Sequence, residues 1–327
     1  MTSSTTSAPT PTATPGRLSI WAQFIAMGVV WGASFLFMKV ALEGVAFGQV
    51  AWSRLVLGAL TLAVIMLVMR PRVAGPGGVL GPILPREPIV YLHFVVVTLS
   101  GCVVPFLLYA WAEQYVSSSL ASIYNATTPI ATALLATLAF RVEKLGRMQW
   151  AGVVVGILGV LVIIGPWQYA ALTGSLAGQI ACVAAPLCYG VMFGYTRKFL
   201  SGRPIHGVTF AFLNIGTGAV VMLVLTPVVA LGALELDPLI VGSLLVLGTV
   251  GTGLCYIWNI NVLRAWGPTN TSTVTYVTPV VGVILGVVLL HERFSWHEPL
   301  GAVLVVVGIL LAQNRLRRRR ARPAPVS

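Results

Sequence analysis

Apolar runs of about 20 residues follow one another along most of the chain, separated by short polar stretches. A helical run of this length crosses roughly 30 Å of hydrocarbon, and in lipid only helices and closed barrels satisfy the backbone. The pattern predicts an all-α integral membrane protein with ten transmembrane helices. We number these helices 1 to 10 and place them at residues 19–39, 50–69, 89–111, 118–140, 148–165, 175–196, 207–226, 239–263, 267–290 and 297–313.

Both ends of the chain lack this pattern. Residues 2–15 read TSSTTSAPTPTATP, which contains no charge and no bulky apolar group, whereas residues 315–320 read RLRRRR. A segment that cannot bury apolar surface stays disordered, and a secretory signal would begin with basic residues before a short apolar core. We therefore predict a disordered cytoplasmic tail at 1–17, without a cleaved signal, and a basic cytoplasmic tail at 314–327.

The charge distribution gives these helices an orientation. Only 9% of the residues are charged, against about 25% in soluble domains, and the net charge is +12. If the N-terminus is cytoplasmic, all but three of the 20 basic residues also face the cytoplasm, the exceptions being Lys39, Arg54 and Arg293. This asymmetry follows the positive-inside rule. It predicts a multi-pass protein of the cell (inner) membrane with both termini cytoplasmic, whose basic tail contacts anionic membrane lipid and not nucleic acid.

The chain also resembles itself. LASIYNATTPI at 120–130 aligns with NTSTVTYVTPV at 270–280, and after a slip of one residue Glu143 aligns with Glu292. We predict two copies of a five-helix unit, at 18–166 (helices 1–5) and 174–313 (helices 6–10). Because five is odd, the second copy enters the membrane from the opposite side. Inverted repeats of this kind are typical of secondary transporters, which bind substrate between the halves near the midplane.

Several motifs resemble a known family. Helix 1 reads WGASFLFMKVALEG, helix 2 begins with SRL, and the two repeated Thr- and Pro-containing helices are each followed by Glu with Gly nine and 16 residues later. In this order the motifs resemble the EamA family of the drug/metabolite transporter (DMT) superfamily, over residues 19–313. The resemblance implies an inner-membrane carrier that exports or imports small metabolites such as amino acids or related compounds. We predict an exporter, and the inverted repeat predicts that it works by alternating access.

Polar and aromatic side chains within the apolar runs are the candidate substrate contacts, because polarity inside a membrane is costly and tends to be functional. Hydrogen bonding between helices is the alternative role for the amide and hydroxyl side chains, and plain packing is the alternative for the aromatic ones. We predict a cavity between helices 1, 3, 4, 6, 8 and 9, with substrate-binding residues Trp31, Ser34, Tyr109, Ser122, Asn125, Thr128, Tyr189, Tyr256, Asn259 and Thr275.

Charged side chains near the predicted outer side suggest a vestibule. We predict that Lys39, Arg54 and Glu113 line it, although the stem of Lys39 can also reach the lipid headgroups, and the sequence leaves open whether Arg54 and Glu113 pair. No Asp or Glu lies at a predicted midplane. A proton-coupled carrier usually has a titratable group in its path, so proton coupling stays open.

Other repeated residues indicate structural roles. Pro129 and Pro279 each remove a backbone donor and free the carbonyl four residues earlier, so we predict that helices 4 and 9 bend there. Glu143 and Glu292 are predicted to be structural, near helix starts. Small-residue spacings allow close helix approach. They predict that helices 5 and 10 pack against each other or against another subunit through Gly152, Gly159, Gly301 and Gly308.

Enzyme chemistry is poorly supported by the remaining residues. LLHERFSWHEPLG at 289–301 holds two His-Glu pairs, but a zinc-binding HExxH motif needs histidines four residues apart on a helix, and the fourth residue after His291 is Ser295. We predict a hairpin there and no metal or other cofactor. Ser34 in the stretch GAS keeps one alternative open, a membrane-embedded enzyme acting on a lipid or isoprenoid substrate. The predicted partners are a small-molecule substrate and membrane lipid, with no nucleic acid, and the protein is expected as a monomer or homodimer.

Overall fold

A computed structural model describes residues 17–73, 84–167, 172–203, 205, 207–232, 234–271 and 273–313. The predicted tails at 1–17 and 314–327 lie outside these ranges, except for Arg17, which begins the first helix.

The described chain is helical, and its helices are α1 (Arg17–Ala41), α2 (Phe47–Val73), α3 (Pro88–Ala112), α4 in two parts (Ser118–Asn125 and Thr128–Leu138), α5 (Arg147–Ile164), α6 (Leu172–Phe199), α7 (Gly207–Val224), α8 (Pro238–Thr271), α9 (Val274–Leu290) and α10 (His297–Ala312). A short helix at Thr226–Val229 follows α7. Seven of the described helices, namely α1, α2, α3, α5, α6, α7 and α8, are long and apolar enough to cross a membrane, and α9 and α10 are shorter apolar helices.

Local sequence explains where several helices start and end. The carboxylate of Asp237 accepts a hydrogen bond from the Ile240 amide at 2.8 Å, and Pro238 follows it at the first helical position of α8, where the missing N–H of a proline costs nothing. The Ser117 hydroxyl similarly accepts from the Leu120 amide at the start of α4. Gly165 ends α5 with φ +60°, a left-handed conformation that glycine adopts without strain.

The proline in α4 coincides with a break in the helix. The two parts of α4 are separated at 126–127, and the Asn125 carbonyl, which Pro129 leaves without its usual donor, accepts the Thr128 hydroxyl at 2.7 Å. By contrast, α9 runs through Pro279 without interruption. The predicted start of helix 9 at 267 is also displaced, because α8 continues to Thr271 and α9 begins at Val274.

Two helices contain π-helical segments that the sequence pattern did not predict. The segment in α3 covers Leu99–Val103, and the one in α8 covers Val246–Leu254. A π-helical turn has a wider hydrogen-bond spacing than an α-helical one and is frequent at functional sites. Both segments contain glycine within an apolar helix, at Gly101 in α3 and at three positions in α8.

The contacts between helices of the two halves form a symmetric set. Helix α1 of the first half packs on α8 and α9 of the second, and α6 of the second half packs on α3 and α4 of the first. Further contacts between the halves join α2 to both α7 and α8, α3 to α7, α4 to α9, and α5 to α10. If the first and second five helices are exchanged, each of these contacts maps onto itself or onto another contact in the same set.

The contact between α5 and α10 is made by glycines that bring the two backbones together. A Cβ atom added at Gly308 would lie 2.6 Å from the Gly156 nitrogen and 2.7 Å from the Gly152 oxygen. One added at Gly159 would lie 2.9 Å from the Gly301 oxygen. Of the two partners left open by the sequence, the structure therefore places α10 against α5 of the same chain.

The turns that follow α4 and α9 have the same backbone geometry. Arg141 has φ 56° and His291 has φ 53°, and these are the non-glycine residues with positive φ in the described part of the chain. The next residue donates back into the helix in both cases, from Val142 to the Ala136 oxygen at 2.9 Å and from Glu292 to the Gly286 oxygen at 3.1 Å. Residues at an offset of 150 therefore form equivalent turns.

Candidate functional site

A cavity of about 200 Å³ lies between helices of both halves. Its walls come from α1, α2, α3, α4, α6, α8 and α9. Eight residues that were predicted to bind substrate line it, namely Trp31, Ser34, Tyr109, Asn125, Thr128, Tyr189, Tyr256 and Thr275. The structure thus brings together residues that are up to 244 positions apart in the sequence.

Two predicted contacts lie elsewhere. Ser122 is fully buried, and its hydroxyl donates to the Thr278 carbonyl at 3.4 Å across the interface of α4 and α9. It faces Gly282, whose missing side chain leaves room for it, so the prediction that Ser122 lines the cavity is wrong. Asn259 is half-buried, lies three residues beyond Tyr256 on α8, and is likewise not among the lining residues.

Hydrogen bonds and ring contacts hold the aromatic wall in place. The Trp31 indole Nε1 donates to the Gly251 carbonyl at 3.0 Å, in the π-helical segment of α8. Its ring stands edge-on to that of Tyr256, with centroids 6.5 Å apart. On the opposite side, the Tyr109 hydroxyl donates to Asn125 Oδ1 at 3.2 Å. In each hydrogen bond one partner lies at an irregular point of its helix, at Gly251 in the π-helical segment of α8 and at Asn125 before the break in α4.

Arg54 lies in the cavity wall and not in a separate vestibule. Its Nε donates to the Thr252 hydroxyl at 3.1 Å, and its guanidinium lies over the Phe106 ring, 4.0 Å from the centroid. The ion pairs among the described residues are Arg197 with Glu143 and Arg203 with Glu87. Arg54 and Glu113 therefore do not form an ion pair, which answers the question that the sequence left open.

Lys39 and Glu113 lie near each other but interact through the backbone. Lys39 Nζ donates to the main-chain carbonyl of Glu113, which caps the end of α3, and to that of Val116 in the loop that follows. The last carbonyls of a helix lack internal partners and attract a cation, which explains why an ammonium group sits there. The Glu113 carboxylate is fully buried and has no hydrogen-bond partner among the described residues. The vestibule of three residues is not formed as predicted, because Arg54 packs against α8 and Lys39 binds the end of α3.

Other cavity residues were not predicted from the sequence, although helical spacing points to several of them. Phe35 and Met38 follow Trp31 by four and seven residues, and Met192 and Phe193 follow Tyr189 by three and four. Residues three, four or seven apart share one helix face. Gly101 and Phe106 of α3 complete the missed part of the wall, and Thr278 of α9 also lines the cavity.

Glu143 and Glu292, which the repeat aligned, make different contacts. Glu292 reaches from the loop after α9 to the start of α4, where its carboxylate accepts the amides of Ser118 at 2.7 Å and Ser119 at 3.0 Å and also the Ser119 hydroxyl. Glu143 instead forms an exposed ion pair with Arg197. Only Glu292 caps a helix, and that helix belongs to the other half of the chain.

Replacing Trp31 by Phe is expected to lower the free energy of unfolding by about 1 kcal/mol, because the Gly251 carbonyl loses its indole donor. Chemical or thermal unfolding of the purified protein in detergent measures this change. Trp150→Phe is the matched control, since Trp150 lies on the outer face of α5 and is 37% exposed. An equal loss in the control variant would show that the contact with Gly251 is not responsible.

Both halves of the chain match one known protein family. Residues 19–165 and 176–313 each match the model of the EamA-like transporter family. The chain is 27% identical over 309 residues to the "Probable terminal-alkyne amino-acid exporter" of Streptantibioticus cattleyicolor, covering 94% of this chain and 97% of that protein. It is also 27% identical over 303 residues to the "Probable amino-acid metabolite efflux pump" of Salmonella typhimurium, covering 89% and 94%. One solved crystal structure is similar in fold, with a TM-score of 0.58 and 18% identity over 94% of this chain and 100% of that one.

Proposed function

Because the chain belongs to the EamA-like transporter family, we propose that it exports small amino-acid-like metabolites through the cavity between its two halves. The family and the names of the relatives indicate a multi-pass membrane transporter and not an enzyme. One observation carries the proposal. The cavity is walled by helices from both halves and combines aromatic rings with a few polar groups, which is the composition expected of a small-molecule site.

The proposed architecture is ten membrane-crossing helices arranged as two inverted repeats, at 18–166 and 174–313. The exchangeable helix contacts support the repeat, as do the equivalent turns at Arg141 and His291. The glycine contacts support it as well, because the contact of Gly152 with Gly308 becomes that of Gly301 with Gly159 when the repeats are exchanged.

The proposed orientation puts both termini in the cytoplasm and the protein in the inner membrane. The ion pairs of Arg197 with Glu143 and of Arg203 with Glu87 lie at one end of the bundle, where they join the end of α6 and the loop after it to the segments after α4 and before α3. We assign this end, where the basic loops gather, to the cytoplasm. The opposite end joins the loops after α1 and α7, where the Glu235 amide donates to the Gly44 oxygen at 2.9 Å.

In the proposed mechanism, substrate contacts the cavity residues Trp31, Ser34, Tyr109, Asn125, Thr128, Tyr189, Tyr256 and Thr275 while the two halves rock around it. A single cavity that opens alternately to each side requires the contacts at the two ends to break in turn. Proton coupling and a homodimer are compatible with this mechanism without being required by it.

The alternative enzyme gains no support from the geometry. The Ser34 hydroxyl donates to the Val30 carbonyl within its own helix at 2.9 Å. None of the described residues that line the cavity is His, Asp or Glu, so no side chain of these types is placed to serve as a general base for Ser34.

Transport is tested in proteoliposomes containing the full-length protein and loaded with unlabelled L-leucine, L-phenylalanine, L-threonine or L-alanine. We expect uptake of the matching radiolabelled amino acid by counterflow for at least one of the four, and none in liposomes without protein. A Tyr189→Ala variant, which opens the cavity wall, is expected to reduce that uptake. If liposomes with and without the protein took up each of the four compounds equally, the proposal would be contradicted.

A further inference from the structure

Arg54 supplies the positive charge of the cavity, and we propose that its guanidinium binds a carboxylate group of the transported molecule. This inference rests on the proposed transport function and adds a chemical requirement to it. Every other described residue that lines the cavity is neutral. The site therefore carries one positive charge before a substrate enters.

The hydrogen bonds of Arg54 leave most of its donors available. A guanidinium has five N–H donors in one plane, and the described residues account for one of them, the bond from Nε to the Thr252 hydroxyl. Neither Nη group makes a hydrogen bond or ion pair with another described residue. The Phe106 ring covers one face of the group without using its N–H bonds. The Nη edge of the guanidinium can thus bind a ligand, while the contacts with Thr252 and Phe106 fix the orientation of the group.

Charge balance explains why that ligand should be an anion. A charged side chain within a membrane is costly, and such groups almost always pair with an opposite charge or line a wet cavity. A carboxylate can accept two parallel N–H bonds from the guanidinium edge, and this fork geometry is the one for which arginine is suited. A substrate carboxylate would therefore neutralise the site for as long as it is bound.

The single positive charge of the site and the small volume of the cavity favour a carboxylate over a phosphate. A phosphate ester carries about −1.5 to −2 charge at neutral pH, which one guanidinium does not balance. The cavity of about 200 Å³ is below the roughly 300–1,000 Å³ of sites for drug-sized ligands. Its aromatic walls at Trp31, Phe35 and Tyr256 suit an apolar substituent. A small monocarboxylate with an apolar side group, including an amino acid, has the matching chemistry.

A purely structural role for Arg54 is the competing explanation, since Arg54 joins α2 to Thr252 of α8 and to Phe106 of α3. The two explanations differ in one respect. A structural arginine stabilises the empty protein and is indifferent to the ligand, whereas a binding arginine distinguishes an acid from its uncharged amide.

The test compares matched acids and amides by the thermal stabilisation of purified full-length protein in detergent, because a ligand that binds the native state raises its unfolding temperature. The probes are isovalerate against isovaleramide, L-leucine against L-leucinamide, and inorganic phosphate. We expect the wild type to be stabilised by at least one of the two acids and not by its amide or by phosphate. In Arg54→Gln the dissociation constant of that acid should rise about 30-fold or more, so that acid and amide become equivalent.

Two further variants keep the test decisive. Arg54→Lys retains the charge without the fork, so binding of the acid should weaken about tenfold while a preference over the amide remains; this variant carries the test if Arg54→Gln does not fold. Arg203→Gln removes a charge of the same type at an end of the bundle and should bind the acid as the wild type does.

The proposal is overturned if the wild type responds equally to acids and amides or to neither acid, or if Arg54→Gln keeps the acid preference of the wild type. Counterflow that proceeds equally well with L-leucinamide and L-leucine would overturn the role of Arg54 and leave the transport function standing. Loss of counterflow for all four amino acids, with acid binding intact, would instead contradict the transport proposal alone.

Discussion

Gly308→Val is expected to destabilise the protein by about 3 kcal/mol, because α5 and α10 pack with their backbones in contact. The added Cβ would lie 2.6 Å from the Gly156 nitrogen and 2.7 Å from both the Gly152 oxygen and the Gly156 Cα. These are main-chain atoms that cannot rotate away as a side chain would. The helices must therefore separate, and the contacts along the whole interface weaken together.

Gly216→Ala is the matched control for this prediction. Gly216 lies within α7, and nothing lies within 4 Å of a Cβ added there. Alanine in a helix interior is favoured over glycine by about 0.5–1 kcal/mol, so this variant should be at least as stable as the wild type. Unfolding of both variants in detergent measures the difference. If Gly308→Val unfolds under the same conditions as Gly216→Ala, the close approach of α5 and α10 is not required for stability.

The apolar pattern predicted the helices well where a helix is bounded by polar or turn-forming residues. Predicted helix 5 ends at Gly165, and α5 ends at Ile164 with Gly165 as its cap. The prediction failed between α8 and α9, where GPTNT at 267–271 was assigned to the start of helix 9 but continues α8 to Thr271. Local composition cannot show such a continuation, because it depends on the helices packed around it.

Some cavity residues were predictable from the sequence, whereas the direction of the Arg54 side chain was not. Trp31 and Tyr189 were predicted to contact substrate, and both line the cavity. Arg54 is close to the start of α2 and was assigned to an outer vestibule, yet Thr252 and Phe106 hold it in the cavity wall. That position depends on the packing of α2 against α3 and α8. No periodicity within α2 alone contains this information.

The π-helical segments show a further limit of the apolar pattern. Val246–Leu254 reads as an ordinary apolar run interrupted by glycines, but its wider turn presents the Gly251 carbonyl to Trp31. Cavity residues lie within or beside these segments, with Gly101 inside the one in α3 and Tyr256 two residues after the one in α8. Irregular backbone inside a membrane protein is tolerated where it faces protein or a wet cavity. The position of these segments beside the cavity is therefore the one in which such backbone is tolerated.

Glu292→Ala is expected to lower the free energy of unfolding by about 2–3 kcal/mol, which is the size of a hydrogen bond to a charged group. The Glu292 carboxylate accepts the amides of Ser118 and Ser119 at the start of α4. Those amides have no partner within their own helix. Glu292→Gln should lose less, since its remaining oxygen can accept one of them. Thermal unfolding of the two variants in detergent gives the ranking.

The matched control for this contact is Glu298→Ala, because Glu298 caps only its own loop through the Ser295 amide at 2.9 Å. We expect that variant to lose about 1 kcal/mol, as helix-cap removals usually do. Glu292 differs in joining the loop after α9 to the first half of the chain, at the end that we assign to the outside. If Glu292→Ala is no less stable than Glu298→Ala, the contact between the two halves adds no more stability than a cap within one loop.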